Sequence, residues 1–291
     1  MCYLEPAIYK LKKIMRGKRF VFLIYFGVFL MILMLRSQAS AQVVHVGVKS
    51  GLNLSWVRPQ DPDFRKDHTI SPVLGFNAGL AFNFNIRERY FLHSEILYAT
   101  KGRIITGDEE LHDKLIYNFI EVPLLYNIFF KGKINATNIK RFKWYVGFGP
   151  NVSYWLGGKG TINHYEIREY EGEPIDYKLK FGERSAVEEG QSDVVYINNA
   201  NRLQLGLNLG GGILLEPSNG GKVMFDLRFE LGGSWFARKE GSHDMAFPAS
   251  YDDELRARSM GLRLSAMYLL EFNTDKKVRN KGKSTKKIRR R

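Results

Sequence analysis

Cysteine is nearly absent: of 291 residues only Cys2 carries a thiol. It falls in a segment expected to be cleaved from the mature chain, which excludes disulfides and thiolate chemistry from the remainder. Lipidation is excluded too, because it needs Cys at the new N-terminus, where Gln42 stands. Beyond residue 35 no long stretch repeats apolar residues at helical spacing. The six histidines, His45, His68, His93, His112, His164 and His243, show no H-x-x-x-H or other metal-ligand spacing. Gly210-Gly211-Gly212 has no helix behind it and lies in an alternating segment, where glycine serves a bulge or close packing rather than a nucleotide. His243-Asp244 lacks a serine elbow and a recognisable third partner. No cofactor, metal or catalytic set is therefore expected, and the chain is not expected to be an enzyme.

Positive charge is abundant, but not in the body of the chain. Of the net +14, residues 1 to 41 hold seven Lys/Arg against Glu5, and residues 273 to 291 hold ten against Asp275. What lies between is close to neutral, so no nucleic-acid-binding face is expected. Residues 1 to 41 have the layout of a secretory signal: a basic stretch, the apolar run Phe20 to Leu35, then Ala39-Ser40-Ala41 as cleavage site. The competing reading, a transmembrane anchor, needs about 18 to 20 apolar residues. Met15 is a possible true start, giving the compact basic stretch Met15 to Arg19. Residues 273 to 291 read as a disordered basic tail on the periplasmic side, with an electrostatic tether to an anionic envelope partner as the sharper alternative.

Between these ends, period-two alternation recurs. From Val44 to Trp56 the positions Val44, Val46, Val48, Leu52, Leu54 and Trp56 are apolar, and His45, Lys49, Asn53 and Ser55 fill the other face. Similar segments follow at Phe76 to Ile86, Tyr90 to Gly102, Leu115 to Phe130, Phe142 to Leu156, Asn201 to Leu215, Lys222 to Phe236 and Ala257 to Phe272. The third is the least regular, since Phe91, Leu97 and Ala99 interrupt its polar face. The expected fold is all-β: an eight-stranded antiparallel up-and-down transmembrane β-barrel over residues 42 to 272. Its first, third, fifth and seventh connections are long, and the others short.

Alternation alone leaves open which face points inward. An apolar interior implies a soluble, lipocalin-like carrier; an apolar exterior implies a membrane barrel. The polar face is rich in Gly, Asn and Ser, as a narrow lumen requires. Aromatics at segment ends suit two interfacial girdles, Trp56, Tyr98, Tyr154 and Trp235 at the long-loop rim and Phe84, Phe130, Trp144 and Phe272 at the other. The membrane reading places the chain in the outer membrane, with the lipid bilayer as its first partner.

Several stretches resemble the PorT-like outer-membrane β-barrel family of certain Gram-negative bacteria. They are Gly47 to Asn53, Gly75 to Gly79, Glu95 to Tyr98 with Lys101-Gly102, Ile120 to Leu125, Gly206 to Gly212 and Phe225 to Phe229. The resemblance covers essentially Val43 to Phe272. It implies an outer-membrane barrel and, for the family's namesake, an accessory part in type IX protein secretion. Phe272, with Tyr268 and Leu270 on the same face, looks like the terminal signal read by the barrel-assembly machinery, although nineteen residues follow it.

Charged residues on the polar face form the candidate site. Lys49, Glu95, Glu121, Asp226, Arg228, Glu230 and Arg263 are expected to meet in a mid-depth salt-bridge network that plugs the lumen. Glu95 and Glu121, on neighbouring strands, leave an acid–base carboxylate pair as the alternative. Residues 157 to 200, with nine acids, are expected to be a solvated loop. The functional expectation is a structural or interaction protein without transport or catalysis, with envelope or secretion proteins as possible partners. The rivals are a type IX secretion accessory and an outer-membrane enzyme with a loop-borne active site.

Overall fold

The computed structural model describes residues 44–87, 89–108, 110–132, 139–182, 194–217, 221–237, 243–245 and 256–272. The expected signal segment with Met15, and the basic tail 273–291, lie outside the described residues. In chain order the elements are β1 (Val44–Pro59), α1 (Phe64–Asp67), β2 (Thr69–Arg87), β3 (Tyr90–Thr106), β4 (His112–Gly132), β5 (Ile139–Asn163), α2 (Tyr165–Glu171), β6 (Ile175–Phe181), β7 (Val194–Ile197), β8 (Leu203–Pro217), β9 (Lys222–Gly232), β10 (His243–Met245) and β11 (Ala257–Phe272). No described helix is long and apolar enough to cross a membrane.

All eleven strands belong to one sheet. From β1 to β5 each strand pairs antiparallel with the next; β5 then pairs with β8, β8 with β9, β9 with β11, and β11 with β1. The ladder thus returns to its own start and leaves none of these strands with an unpaired side, which removes the edges that template aggregation. The stagger can be followed by stepping across each ladder to the residue opposite. From Val44 the path runs through Phe84, Leu92, Tyr126, Phe148, Leu209, Phe229 and Leu262 and comes back to β1 at Leu54, ten positions further on (54 − 44). A stagger of this kind inclines the strands by about 40° to the axis they surround.

Every residue on that path is aromatic or aliphatic, and side-chain exposure follows the alternation. Along β1, Val48, Leu52 and Leu54 are exposed while His45, Lys49, Asn53 and Ser55 are buried. Along β8, Leu203, Leu205, Leu207 and Leu209 are exposed while Gln204 and Asn208 are buried. The apolar face therefore points outward, opposite to the arrangement of a soluble carrier.

Three differences from the sequence reading have physical causes. Three strands, β6, β7 and β10, are added to the eight expected segments, contributed by the fifth and seventh connections. The fifth connection is not a plain solvated loop. Beyond Leu156, β5 continues to Asn163 and pairs with β6; β7 joins β6 in parallel, and β10 joins β7. All four residues of β7 are buried, consistent with its unbroken apolar run. The third connection, expected from Arg103 to Lys114, shortens to 107–111, since β3 and β4 remain in register to Thr106 opposite His112.

The added elements help build an apolar cluster at the long-loop end, with Tyr117, Phe119, Trp155, Ile167, Ile197 and Phe236 among its buried members. Trp155 is fully buried and stacks edge-on to Phe236 at 5.2 Å, and its indole N–H donates to the Gly157 carbonyl at 2.9 Å. At the short-turn end Phe91, Tyr145, Leu214, Met224, Met267 and Leu269 form a second, smaller cluster. Phe91, the irregularity in the third segment, thus belongs to the interior.

Candidate functional site: the charged interior

Between the two apolar clusters the interior is ionic. Alternation explains how the charges meet. Strands β1, β3, β4, β9 and β11 each turn every second side chain inward, and small residues beside the long ones leave them room. Lys49, for example, has Gly79 opposite it on β2.

Two balanced groups result. In the first, the Lys49 ammonium lies 2.7 Å from Glu95 and 3.0 Å from Asp226. Arg228 grips Glu95 with both terminal nitrogens, at 2.9 and 2.7 Å, and also contacts Asp226. His93 joins Glu95 to Asn83 through its two ring nitrogens. In the second, Lys101 lies 2.6 Å from Glu121 and 2.8 Å from Glu230. Arg263 reaches the same two carboxylates at 2.5 and 2.7 Å, and its Nε donates to Asn53 Oδ1 at 2.9 Å. Asn77 donates to that oxygen as well, at 2.8 Å. Each group sets two cations against two carboxylates, and none of the eight is more than slightly exposed. Ions so far from water persist only when paired and hydrogen-bonded. Nearer the long-loop end, Arg103 meets Asp113 at 3.4 Å, and Tyr177 donates its hydroxyl to Asp113 at 2.7 Å.

All seven expected network residues are buried inside, but they divide into two groups. Glu95 and Glu121 fall in different groups, each between cations, and do not face one another as an acid–base pair. Lys101, His93 and Asn53 complete the groups and were missed. The signal for Lys101 was present, since it lies on the parity of Glu95 along β3. His93, Glu95 and Asp226 bring possible ligand atoms within 4.8 Å of one another, but Lys49 and Arg228 already occupy these carboxylates, so a metal ion would have to displace both. His243 and Asp244 lie on β10, opposite Ile197 and Tyr196.

The aromatic residues expected at the rims lie on the outward face. Tyr98, Tyr154, Phe130, Trp144 and Phe272 are exposed, while Trp56, Phe84 and Trp235 are half-buried. Phe130 and Trp144 stack at 4.1 Å across β4 and β5. Phe84 and Phe272 both lie opposite Val44. Arg202 sits 4.7 Å from the Tyr154 ring and Arg258 3.9 Å from that of Trp235.

No curated protein matches the chain. Solved structures similar to it include Ail, the attachment invasion locus protein of Yersinia pestis, at 12% identity and a TM-score of 0.31, covering 78% of this chain and 98% of Ail. OprG of Pseudomonas aeruginosa gives 10% identity and a TM-score of 0.42, covering 80% and 97%. Neisserial surface protein A gives 8% identity and a TM-score of 0.31, covering 77% and 96%. The family described as outer membrane protein beta-barrel domain matches residues 37–232, well over half of the sequence. The chain therefore belongs to the outer membrane protein β-barrel domain family, and its place is the outer membrane.

Proposed function

We propose that β1 to β5, β8, β9 and β11 form an eight-stranded up-and-down transmembrane barrel whose lumen is sealed, and that the protein acts as a structural or interaction module rather than a pore or an enzyme. The observation that carries this reading is the filling of the interior. Two neutral ionic groups occupy mid-depth, and an apolar cluster built partly from β6, β7 and α2 lies at the long-loop end. A continuous water path would have to cross both. The interfacial aromatic girdles, the bilayer as partner and assembly by the barrel-assembly machinery belong to the same reading. Planar-bilayer recording of purified protein tests it. The expected result is a flat baseline; reproducible conductance steps would contradict the sealed lumen.

The PorT-like resemblance supplies the alternative of a type IX secretion accessory. It draws support from the interior, because Lys49, Asn53, Asn77, Glu95, Lys101, Glu121, Asp226 and Arg228 all lie in the resembling stretches. Those residues support a shared barrel interior; the secretion role itself rests on the resemblance alone. Gene deletion distinguishes the two: retained secretion-system cargo favours the accessory role, and normal export favours the structural one.

A further inference from the structure

The inward faces of β5 and β8 differ from the rest of the interior. Opposite one another along this ladder stand Ser153 and Gln204, then Asn151 and Gly206, then Gly149 and Asn208. All but Gly206 are buried, and none carries a charge. Asn208 is only 2% exposed, yet neither its amide nitrogen nor its carbonyl oxygen has a hydrogen-bond partner in the protein. Asn151 donates to Ser153 Oγ at 3.2 Å, and its own Oδ1 is left unpaired. The strand on the other side of β8 brings a third such group. Glu230 of β9 stands opposite Asn208 and holds Arg263 through Nη2 at 2.7 Å, while Nη1 of that guanidinium has no hydrogen-bond partner. In the first ionic group, by contrast, no polar atom of Lys49, His93, Glu95, Asp226 or Arg228 is left in this condition.

Unpaired polar atoms buried this deeply are rare and costly, and each calls for a partner. Glycine makes room for one. The atoms nearest to a Cβ placed at Gly206 would all be backbone: Leu231 O at 2.8 Å, Leu231 C at 3.6 Å and Gly232 Cα at 3.7 Å. No side chain therefore crowds that point, which lies opposite Asn151 and two residues from Asn208 on the same face. The unpaired atoms are mixed in kind: Asn208 Nδ2 and Arg263 Nη1 donate, whereas Asn208 Oδ1 and Asn151 Oδ1 accept. An anion would serve only the donors and a cation only the acceptors. Either would also unbalance the second ionic group, in which Lys101 and Arg263 already match Glu121 and Glu230. A small uncharged guest that both donates and accepts meets all four atoms, and the apolar clusters at the two ends of the interior leave larger solutes no route to them.

We propose that Asn151, Asn208 and Arg263 hold a cluster of ordered water enclosed beside the second ionic group, while the first group is dry. Buried water characteristically bridges polar groups that the protein leaves unpaired. The inference rests on the sealed-barrel reading above and refines it, since the lumen is then closed but hydrated on one side. The two ionic groups, alike in charge, thereby differ in what solvates them: protein alone in the first, protein and trapped water in the second.

The test uses the full chain in detergent micelles, labelled with nitrogen-15 at asparagine, and reads NOE and ROE cross-peaks between water and the side-chain amides. Bound water gives the two effects opposite signs, whereas amide proton exchange gives them the same sign. Bound-water cross-peaks are expected at Asn208 and Asn151. None is expected at Asn83, which contacts His93 of the first group and donates to Met224 Sδ at 3.2 Å. Asn208→Leu removes both unpaired atoms at once and is expected to lose the cross-peak at Asn151. Absence of a bound-water cross-peak at Asn208 in the unaltered protein would overturn the proposal, as would an unchanged one at Asn151 in Asn208→Leu. Equal cross-peaks at Asn83 would overturn it too, because the hydration would then extend to the first group. Heat-modifiable gel migration shows whether the variant folds; if it does not, the cross-peaks of the unaltered protein decide. Conductance recording separates this inference from the reading beneath it: a flat baseline without a cross-peak at Asn208 defeats the water site alone, and conductance steps defeat the sealed lumen and the enclosed site together.

Discussion

Glu95 receives both terminal nitrogens of Arg228 and the ammonium of Lys49 while being wholly buried. Removing its charge leaves two interior cations to share Asp226. Glu95→Gln, nearly the same size, is therefore expected to cost about 3–5 kcal/mol, the range for breaking one side of a buried ion pair. Urea unfolding in lipid vesicles measures it. A loss below about 1 kcal/mol would show that the layer is solvated. Adding Arg228→Met restores charge balance, so the double variant should lose less than the sum of the two single losses.

At the scale of strands, exposure alternates with charge, and the two faces should respond oppositely to substitution. Leu207, on the outward face of β8, is 59% exposed. Leu207→Arg is expected to reduce folding stability in vesicles by about 2–4 kcal/mol if it lies near mid-bilayer. A water-facing position would tolerate the change within about 0.5 kcal/mol. The apolar cluster at the long-loop end gives a separate test. Trp155→Ala should cost about 3–5 kcal/mol by opening a cavity and should speed hydrogen exchange on β6 and β7. Unchanged exchange there would show that these strands do not depend on Trp155.

How far these elements could be read from sequence depended on which signal each one carries. Strands of the closed ladder keep two faces of different polarity, so β1, β8 and β9 announced themselves through alternation. β7 has no polar face, and its four apolar residues, embedded in an acid-rich stretch, gave no period to detect. The extension of β5 past Leu156 was hidden by Gly157, where the parity of exposed residues changes from even to odd. In the site, parity identified which charges point inward. It did not show that the stagger of the ladder would divide them into two neutral groups, because partner choice depends on register across five strands. Lys101 shows this clearly: its parity was legible, and its two carboxylates, 20 and 129 positions further along the chain, were not.

For the whole molecule the accounts of fold, location and role depend on one geometry: a closed ladder with lipid outside and paired ions inside. Its parts support one another. Closure removes sheet edges, tilt fixes which residues lie opposite, and the resulting interior holds charges that no bilayer would accept. The most direct measurement places a fluorescent label at successive single cysteines from Leu205 to Leu209 in a Cys2→Ser background and reads quenching by brominated lipids. Residues 205, 207 and 209 should be quenched strongly, and 206 and 208 weakly. Uniform quenching, or the opposite alternation, would contradict a barrel with its apolar face toward the membrane.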